Sequence, residues 1–356
     1  MRIERLRVDY VRNLEDLEIE PASRLNLITG VNASGKTALL ESMYLLARAR
    51  SFRTHRIEDV IQHGRDELRV SAHIEHGEDG ALVTGIERSR GKLLLRYHGQ
   101  TIKTVSAHAR RIPVVLMTPA SHELVLGGPT ARRHWLDWAM FHVKPEYLEA
   151  WRDYHRALRH RNAALKAQAD LSTLEGFEQI LARSGTLLTD ARTAYLEALD
   201  KAFTAIAEGL WPDTPRIRLK PGWSGDLFTV LSTGRAGDRE AGFSRQGPHR
   251  ADVEFSVGPR ALSACFSRGQ CKLFVSLLVL AQAGVIEALS GEAPLLLLDD
   301  FAAELDLDAN RVLLELLHAQ RTQVFVTTTH WDGEWGLAGV DRVFHVERGK
   351  VRKVVE

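Results

Sequence analysis

"LNLITGVNASGKTALLESMYLL", residues 25–46, decides the fold, because it runs from an apolar segment through a glycine turn into a helical pattern with a lysine at the junction. Residues 25–29 alternate and stop at Gly30 as a buried strand does, and residues 38–47 are rich in helix formers. Between them Gly30, Val31, Asn32, Ala33, Ser34, Gly35, Lys36 and Thr37 fit G-x-x-x-x-G-K-[ST]. In such a loop the backbone N–H groups wrap phosphate oxygens at a helix N-terminus, the lysine neutralises the outer phosphates and the threonine hydroxyl ligates Mg²⁺. A plain strand-to-helix turn would require neither the lysine nor the second glycine. The stretch reads as a nucleotide-phosphate site.

The carboxylates that such a site needs come late in the chain. "PLLLLDDFAAELD", residues 294–306, is a run of leucines ending in two aspartates, the way a buried parallel strand delivers acids to a sheet edge. Asp299 is expected to hold Mg²⁺ directly or through water, and Asp300 to polarise an attacking water. Just before them stands "FSRGQCKLFVSLLVLAQAG", residues 266–284. There Ser267 can cap a helix that is nearly all apolar from Lys272 onward, and Gly269 permits close backbone approach. The helix start is expected to be exposed, as a second anion site.

Composition sets the outer bounds. A chain of 356 residues with 44% hydrophobic and 26% charged residues reads as soluble and globular, with one large or two modest domains. No apolar run reads as long enough to span a membrane, and the start lacks the apolar core of a signal peptide, so a cytoplasmic location is expected. The only cysteines, Cys265 and Cys271, are too few for a disulfide framework or a four-cysteine zinc site. A net charge of +1 excludes a globally basic nucleic-acid binder, so any DNA site must be a local patch.

Along the chain, residues 1–30 read as two strands joined by a turn at Val11, Arg12 and Asn13, leading into the phosphate loop. Short strands follow over 68–75, 81–88, 93–98 and 112–117. From Thr130 to about Leu210 the only proline is Pro145, and Ala, Leu, Glu, Arg and Tyr recur at helical spacing, which predicts an inserted helical segment of three or four long helices. Glycine and proline then return, and strands resume over 217–220 and 251–257.

Taken in order, "LRVDYVRNLEDLEIE", "GVNASGKT", "RSFRTHR", "LMTPASHELVLGGPTARRHWLDW", "PEYLEAWRDYHRALRHRNAALK", "GPHRADVEF", "FSRGQCK" and "LLLLDDFAAELD" resemble the RecF family, relatives of the SMC proteins among ABC-type ATPase heads. The resemblance covers nearly the whole chain. It implies an α/β fold, a P-loop ABC-type ATPase head of two lobes with an inserted all-helical arm. Residues 1–120 would form the lobe with the phosphate loop, completed by the C-terminal segment, residues 121–212 the arm, and residues 213–356 the lobe with the signature and the Walker B aspartate strand. It implies ATP sandwiched between two heads of a homodimer, the phosphate loop of one facing Ser267, Arg268, Gly269 and Gln270 of the other. Arg12 and Asn13 match positions that reach toward the nucleotide, Asp306 matches a loop crossing the dimer interface, and His330 stands where transporter ATPases carry a switch histidine. RecF proteins are DNA-binding ATPases of low turnover acting in recombinational repair. With RecO and RecR they direct RecA onto gapped DNA. Three departures stand out: Ala33 where glycine is frequent, Cys271 where a second glutamine is common, and Asp300 where transporters carry glutamate.

For DNA, the segment 48–56 places four arginines after the phosphate-loop helix, among them Arg50 and Arg53. Arg132, Arg133, Arg152, Arg156, Arg159 and Arg161 add basic positions at the arm, with Arg152, Arg156 and Arg159 at i, i+4 and i+7 on one helix face. Contacts to phosphates rather than bases are expected, since no base-reading motif is present. The leading reading is an ATP-driven switch on DNA. The alternatives are an SMC-like structural DNA clamp and an ABC transport ATPase subunit.

Overall fold

The computed structural model describes residues 1–76, 80–301, 305, 307–329 and 340–355. Packing divides the chain into two units, Met1–Ser121 with Lys272–Glu356, and His122–Cys271.

The first unit is built on the quoted stretch. Leu25–Thr29 lies inside a six-stranded sheet whose order is Lys350–Val355, Arg342–Glu347, Leu25–Thr29, Val324–Thr328, Leu295–Leu298 and Val114–Met117. All neighbours pair in parallel except the edge strand Lys350–Val355. Leu295–Leu298 and Val324–Thr328 are buried at every position, as parallel strands covered on both faces must be, which explains unbroken leucine in place of alternation. Because the strands run the same way, Thr29, Thr328 and Leu298 end at one edge. Gly30 and Asp299 emerge there together.

The second sheet of this unit is antiparallel, in the order Leu17–Ile19, Arg2–Asp9, Glu67–Glu75, Ala81–Ser89, Leu93–Tyr97 and Gln100–Thr101. Glu67–Glu75 buries every second residue, the period of a strand with one covered face. The phosphate-loop helix Lys36–Arg48 packs against Glu67–Glu75, Ala81–Ser89 and Val324–Thr328, so it touches both sheets and is buried from Ala38 to Ala47. The first thirty residues form three strands rather than two. Pro21 cannot continue the antiparallel ladder of Leu17–Ile19, and the chain resumes at Leu25 in the other sheet.

The second unit contains three long helices, Pro129–Val143, Tyr147–Lys166 and Leu171–Ile206. Pro129 opens the first, where its missing N–H is no loss. Asp170 caps the third by accepting from Thr173 N–H at 2.7 Å. A three-stranded antiparallel sheet of Arg216–Lys220, Asp252–Val257 and Arg260–Ala261 belongs to the same unit. Residues 213–271 fall in the same compact unit as these helices. The reason is side-chain pairing: Arg216 is tied to Asp200 of Leu171–Ile206, and Arg132 of Pro129–Val143 to Asp252.

The helix that follows Ser267 runs over Arg268–Ser290. It is the one described helix long and apolar enough to cross a membrane by length and composition, contrary to the expectation that no run reaches that length. Phe274, Val275, Leu277, Leu278 and Ala283 on it are fully buried, so packing inside the protein accounts for its hydrophobicity.

Candidate nucleotide site

The phosphate loop encloses one side of a cavity of about 590 Å³, lined also by Arg12, Asn13, Arg53, Pro119, Asp299, Asp300, Thr327 and Thr329. The loop's conformation explains its composition. Gly30 has φ 145°, and a Cβ there would stand 2.3 Å from the Val346 carbonyl oxygen. Ala33, where relatives of this loop often carry glycine, has φ 62° and tolerates the left-handed region at a cost of roughly 1 kcal/mol. Lys36 is buried, and its Nζ donates to the Gly30 carbonyl at 2.7 Å and the Val31 carbonyl at 3.0 Å. Burial pulls the ammonium pKa down, against the opposing charges of Asp300 and Asp299.

Opposite Lys36 is a chain of oxygens. Thr37 Oγ1 donates to Asp299 Oδ1 at 3.0 Å, and Thr327 Oγ1 donates to the same oxygen at 2.8 Å. The Asp300 N–H in turn donates to Thr327 Oγ1 at 2.8 Å. Desolvation raises the Asp299 pKa, the Thr327 and Thr37 hydroxyls oppose it, and the charge of Asp300 raises it further. Asp300 has φ 50°, a strained conformation that an aspartate tolerates better than most residues and that is frequent at functional sites. The hydroxyl of Thr37 and the carboxylate of Asp299 are hard oxygen ligands side by side, a donor set suited to Mg²⁺.

Around this centre lie several other residues singled out in the sequence. Arg12 sits on the cavity wall, but its guanidinium makes a bidentate pair with the fully buried Glu41, at 2.9 Å for both bonds, and also donates to the Asp59 carbonyl. Asn13 Nδ2 donates to the Ser34 carbonyl at 3.0 Å. Arg53, expected on a DNA surface, lines the cavity and stands 3.9 Å from Glu41. Arg50 is exposed. Thr327, on the cavity wall, and Glu41, joined to it through Arg12 of that wall, are positions that sequence reasoning misses. The signal for Thr327 is its place in "TTTH" at the end of a strand, and for Glu41 an acid four residues after Thr37 on an otherwise apolar helix. Asp306 and His330 lie outside the described residues.

In the second unit, Ser267 and Gln270 form a reciprocal cap: Ser267 N–H donates to Gln270 Oε1 at 2.9 Å, and Gln270 N–H to Ser267 Oγ at 3.3 Å. This is the geometry of a capping box, and it leaves Ser267, Arg268 and Gln270 exposed with Gly269 half-buried. Arg152, Arg156 and Arg159 are exposed on Tyr147–Lys166, while Tyr154 and Ala157 of that helix are buried. Arg132 is not a surface residue. It is buried, pairs through two nitrogens with Asp252 at 2.6 and 2.9 Å, and donates to the Leu124 and Gly127 carbonyls. Arg161 is likewise fully buried, between Glu178 and Asp238. Arg133 is half-buried and donates to the Ala251 carbonyl at 2.8 Å.

Residues 2–351 match the profile of the RecF/RecN/SMC N-terminal domain. The chain is 40% identical to the DNA replication and repair protein RecF of Chromohalobacter salexigens and 35% identical to that of Xanthomonas axonopodis pv. citri, covering 99% of both chains in each case. Among solved structures it resembles the recombination mediator protein RecF with ATP in the RecFOR pathway, with TM-score 0.87, 24% identity and coverage of 99% and 98% of the two chains. It also resembles the Smc head domain of Pyrococcus furiosus, with TM-score 0.61, 16% identity and coverage of 99% and 96%. The fold is that of an ABC-type ATPase head.

Proposed function

The chain belongs to the RecF family, and from that premise we propose that it is an ATP-dependent DNA-binding mediator of recombinational repair in the cytoplasm. ATP closes a homodimer of heads on single-strand gaps or single-to-double-strand junctions. Slow, DNA-stimulated hydrolysis reopens it, with RecO, RecR and a RecA-type recombinase as partners. The observation that carries the reading is the meeting of Lys36, Thr37, Asp299 and Asp300 around one cavity, although loop and acids lie more than 250 residues apart in sequence.

Each residue then has a task. The N–H groups of residues 30–37 cradle the phosphates, and Lys36 turns from the Gly30 and Val31 carbonyls to the outer phosphate oxygens. Thr37 and Asp299 would hold Mg²⁺, which would supply charge neutralisation at the phosphates. Asp300, held by Thr327, accepts a proton from the attacking water, and its short side chain fits slow turnover. Arg53 faces the same phosphates. His330 and Asp306 are assigned by family likeness to the γ-phosphate and the dimer interface. Ser267, Arg268, Gly269 and Gln270 serve the partner head's ATP, a role their exposure supports. Arg152, Arg156 and Arg159, with Arg50, contact DNA phosphates without reading sequence.

The test is ATP hydrolysis with and without gapped DNA, together with solution size in ATP, ADP and no nucleotide. Turnover stimulated by DNA with an ATP-specific dimer is expected. ATP binding with no stimulated turnover would favour a structural clamp, and cofractionation with membranes would favour a transport subunit.

A further inference from the structure

The carbonyl of Ser34 is gripped from outside the phosphate loop by two donors from opposite ends of the chain. Asn13 Nδ2 reaches it at 3.0 Å and the Gly349 N–H at 2.8 Å. Gly349 is the second residue of a two-residue turn joining Arg342–Glu347 to Lys350–Val355, in which Arg348 has φ 48° and Gly349 φ 77°. Both signs are those of a type I′ hairpin turn, which fixes the direction of the Gly349 N–H through the register of the two strands. The approach is tight. A Cβ on Gly349 would stand 1.9 Å from the Asn13 carbonyl oxygen, so only glycine brings that N–H within reach.

Ser34 C=O and Gly35 N–H belong to one peptide unit. In a trans peptide the two bonds are coplanar and point in opposite directions, and no cis bond occurs among the described residues. A grip on the carbonyl therefore aims the Gly35 N–H away from the Asn13 amide and the hairpin tip. Gly35 lines the cavity, and its N–H meets no acceptor among the described residues. A donor held in place before its ligand arrives costs no reorganisation on binding.

We infer that Asn13 and the backbone N–H of Gly349 are positioning residues for phosphate binding, acting through the Ser34–Gly35 peptide and not by contact with the nucleotide. The inference rests on the ATP reading above. It differs from the role that family likeness gives Asn13, which also lines the cavity and could touch the ligand itself.

The experiment follows the Gly35 amide by ¹⁵N–¹H NMR in the full, nucleotide-free chain, and ATP affinity in parallel, for wild type, Asn13→Ala and Gly349→Ala. Both variants should bind ATP roughly tenfold more weakly, the loss of one hydrogen bond's worth of ordering. The Gly35 resonance should already move in the absence of nucleotide. Asn13 is exposed, so Asn13→Ala tests the idea even if Gly349→Ala proves unstable. Weaker binding by Asn13→Ala with the nucleotide-free Gly35 resonance unmoved would overturn the inference in favour of direct contact. Unchanged ATP affinity in Asn13→Ala would overturn it alone, whereas a wild-type chain that bound no ATP would overturn the reading of the site and this inference with it.

Discussion

Thr37 Oγ1 donates a hydrogen bond to Asp299 Oδ1 at 3.0 Å across 262 residues of sequence. That bond ties the phosphate loop to the aspartate strand, and both of its oxygens are ones that a metal ion would take. The same carboxylate oxygen takes a second hydroxyl from Thr327. Two hydroxyl donors do not fully compensate a buried negative charge, and the carboxyl pKa is raised as a result.

The first prediction follows from that raised pKa. A carboxyl whose folded pKa exceeds its unfolded value binds a proton on folding between the two, so stability falls as pH rises through this window and the penalty is complete above it. Asp299→Asn keeps the acceptor for both threonines and removes the charge. The nucleotide-free variant should melt higher than wild type at neutral pH and lose part of the decline in stability that sets in above the ordinary carboxylate pKa. Metal-dependent hydrolysis should disappear. Thermal scans against pH decide it: a variant less stable than wild type at pH 7 would mean that the charge is compensated.

Lys36→Ala removes the ammonium that bridges the Gly30 and Val31 carbonyls and the only cation of the loop. A charge-assisted hydrogen bond is worth about 1.5–3 kcal/mol, so ATP affinity should drop by roughly ten- to a hundredfold or more. Equilibrium binding of a fluorescent ATP analogue measures this. Wild-type affinity would take the phosphate role away from this loop.

Much of this site is legible in the sequence because each piece is local. The loop and the aspartate strand each fit within a dozen residues and carry a required pattern of glycine, charge or hydroxyl. Thr327 and Glu41 are not legible, since a threonine at a strand end and one acid on an apolar helix gain meaning only from sheet order and from Arg12 folding onto that helix. The arginines show the same limit from the other side. Spacing places Arg152, Arg156 and Arg159 on one face, but a sequence cannot tell them from Arg132 and Arg161, whose acids, Asp252, Glu178 and Asp238, lie up to 120 residues away. The alternation that marks Glu67–Glu75 vanishes in Leu295–Leu298, where both faces are covered and only length and flanking residues separate strand from helix.

That distinction among arginines is testable. Arg132→Ala strands Asp252 and should destabilise the protein by about 3 kcal/mol, visible as a lower urea midpoint. Arg152→Glu with Arg159→Glu, both exposed, should cost much less, with an unfolding free energy within roughly 1 kcal/mol of wild type, as exposed pairs and surface changes do. The double variant should bind DNA more weakly, its salt dependence flattened by close to one unit for each phosphate that is no longer neutralised. Unaltered DNA affinity would move the DNA surface elsewhere, with exposed Arg50 the next residue to change.

Ser267 gives the test of a site completed between two heads. In the folded chain its hydroxyl accepts from Gln270 N–H while its own N–H donates to Gln270, so the helix start is satisfied within one head and still exposed. If that start offers its hydroxyl and N–H groups to the γ-phosphate of a neighbour's ATP, the dimer depends on contacts that ADP cannot supply. Ser267→Arg places bulk there and also removes a cap worth about 1 kcal/mol, so its melting temperature must be recorded alongside. The variant should bind ATP through its intact loop and Asp299 yet neither dimerise nor hydrolyse. Mixing it with Lys36→Ala leaves one composite site, the loop of the first chain facing the helix start of the second. Partial recovery of dimer or turnover in the mixture, absent from either chain alone, is the expected result. An ATP-dependent dimer of Ser267→Arg by itself would show that this helix start is not part of the interface.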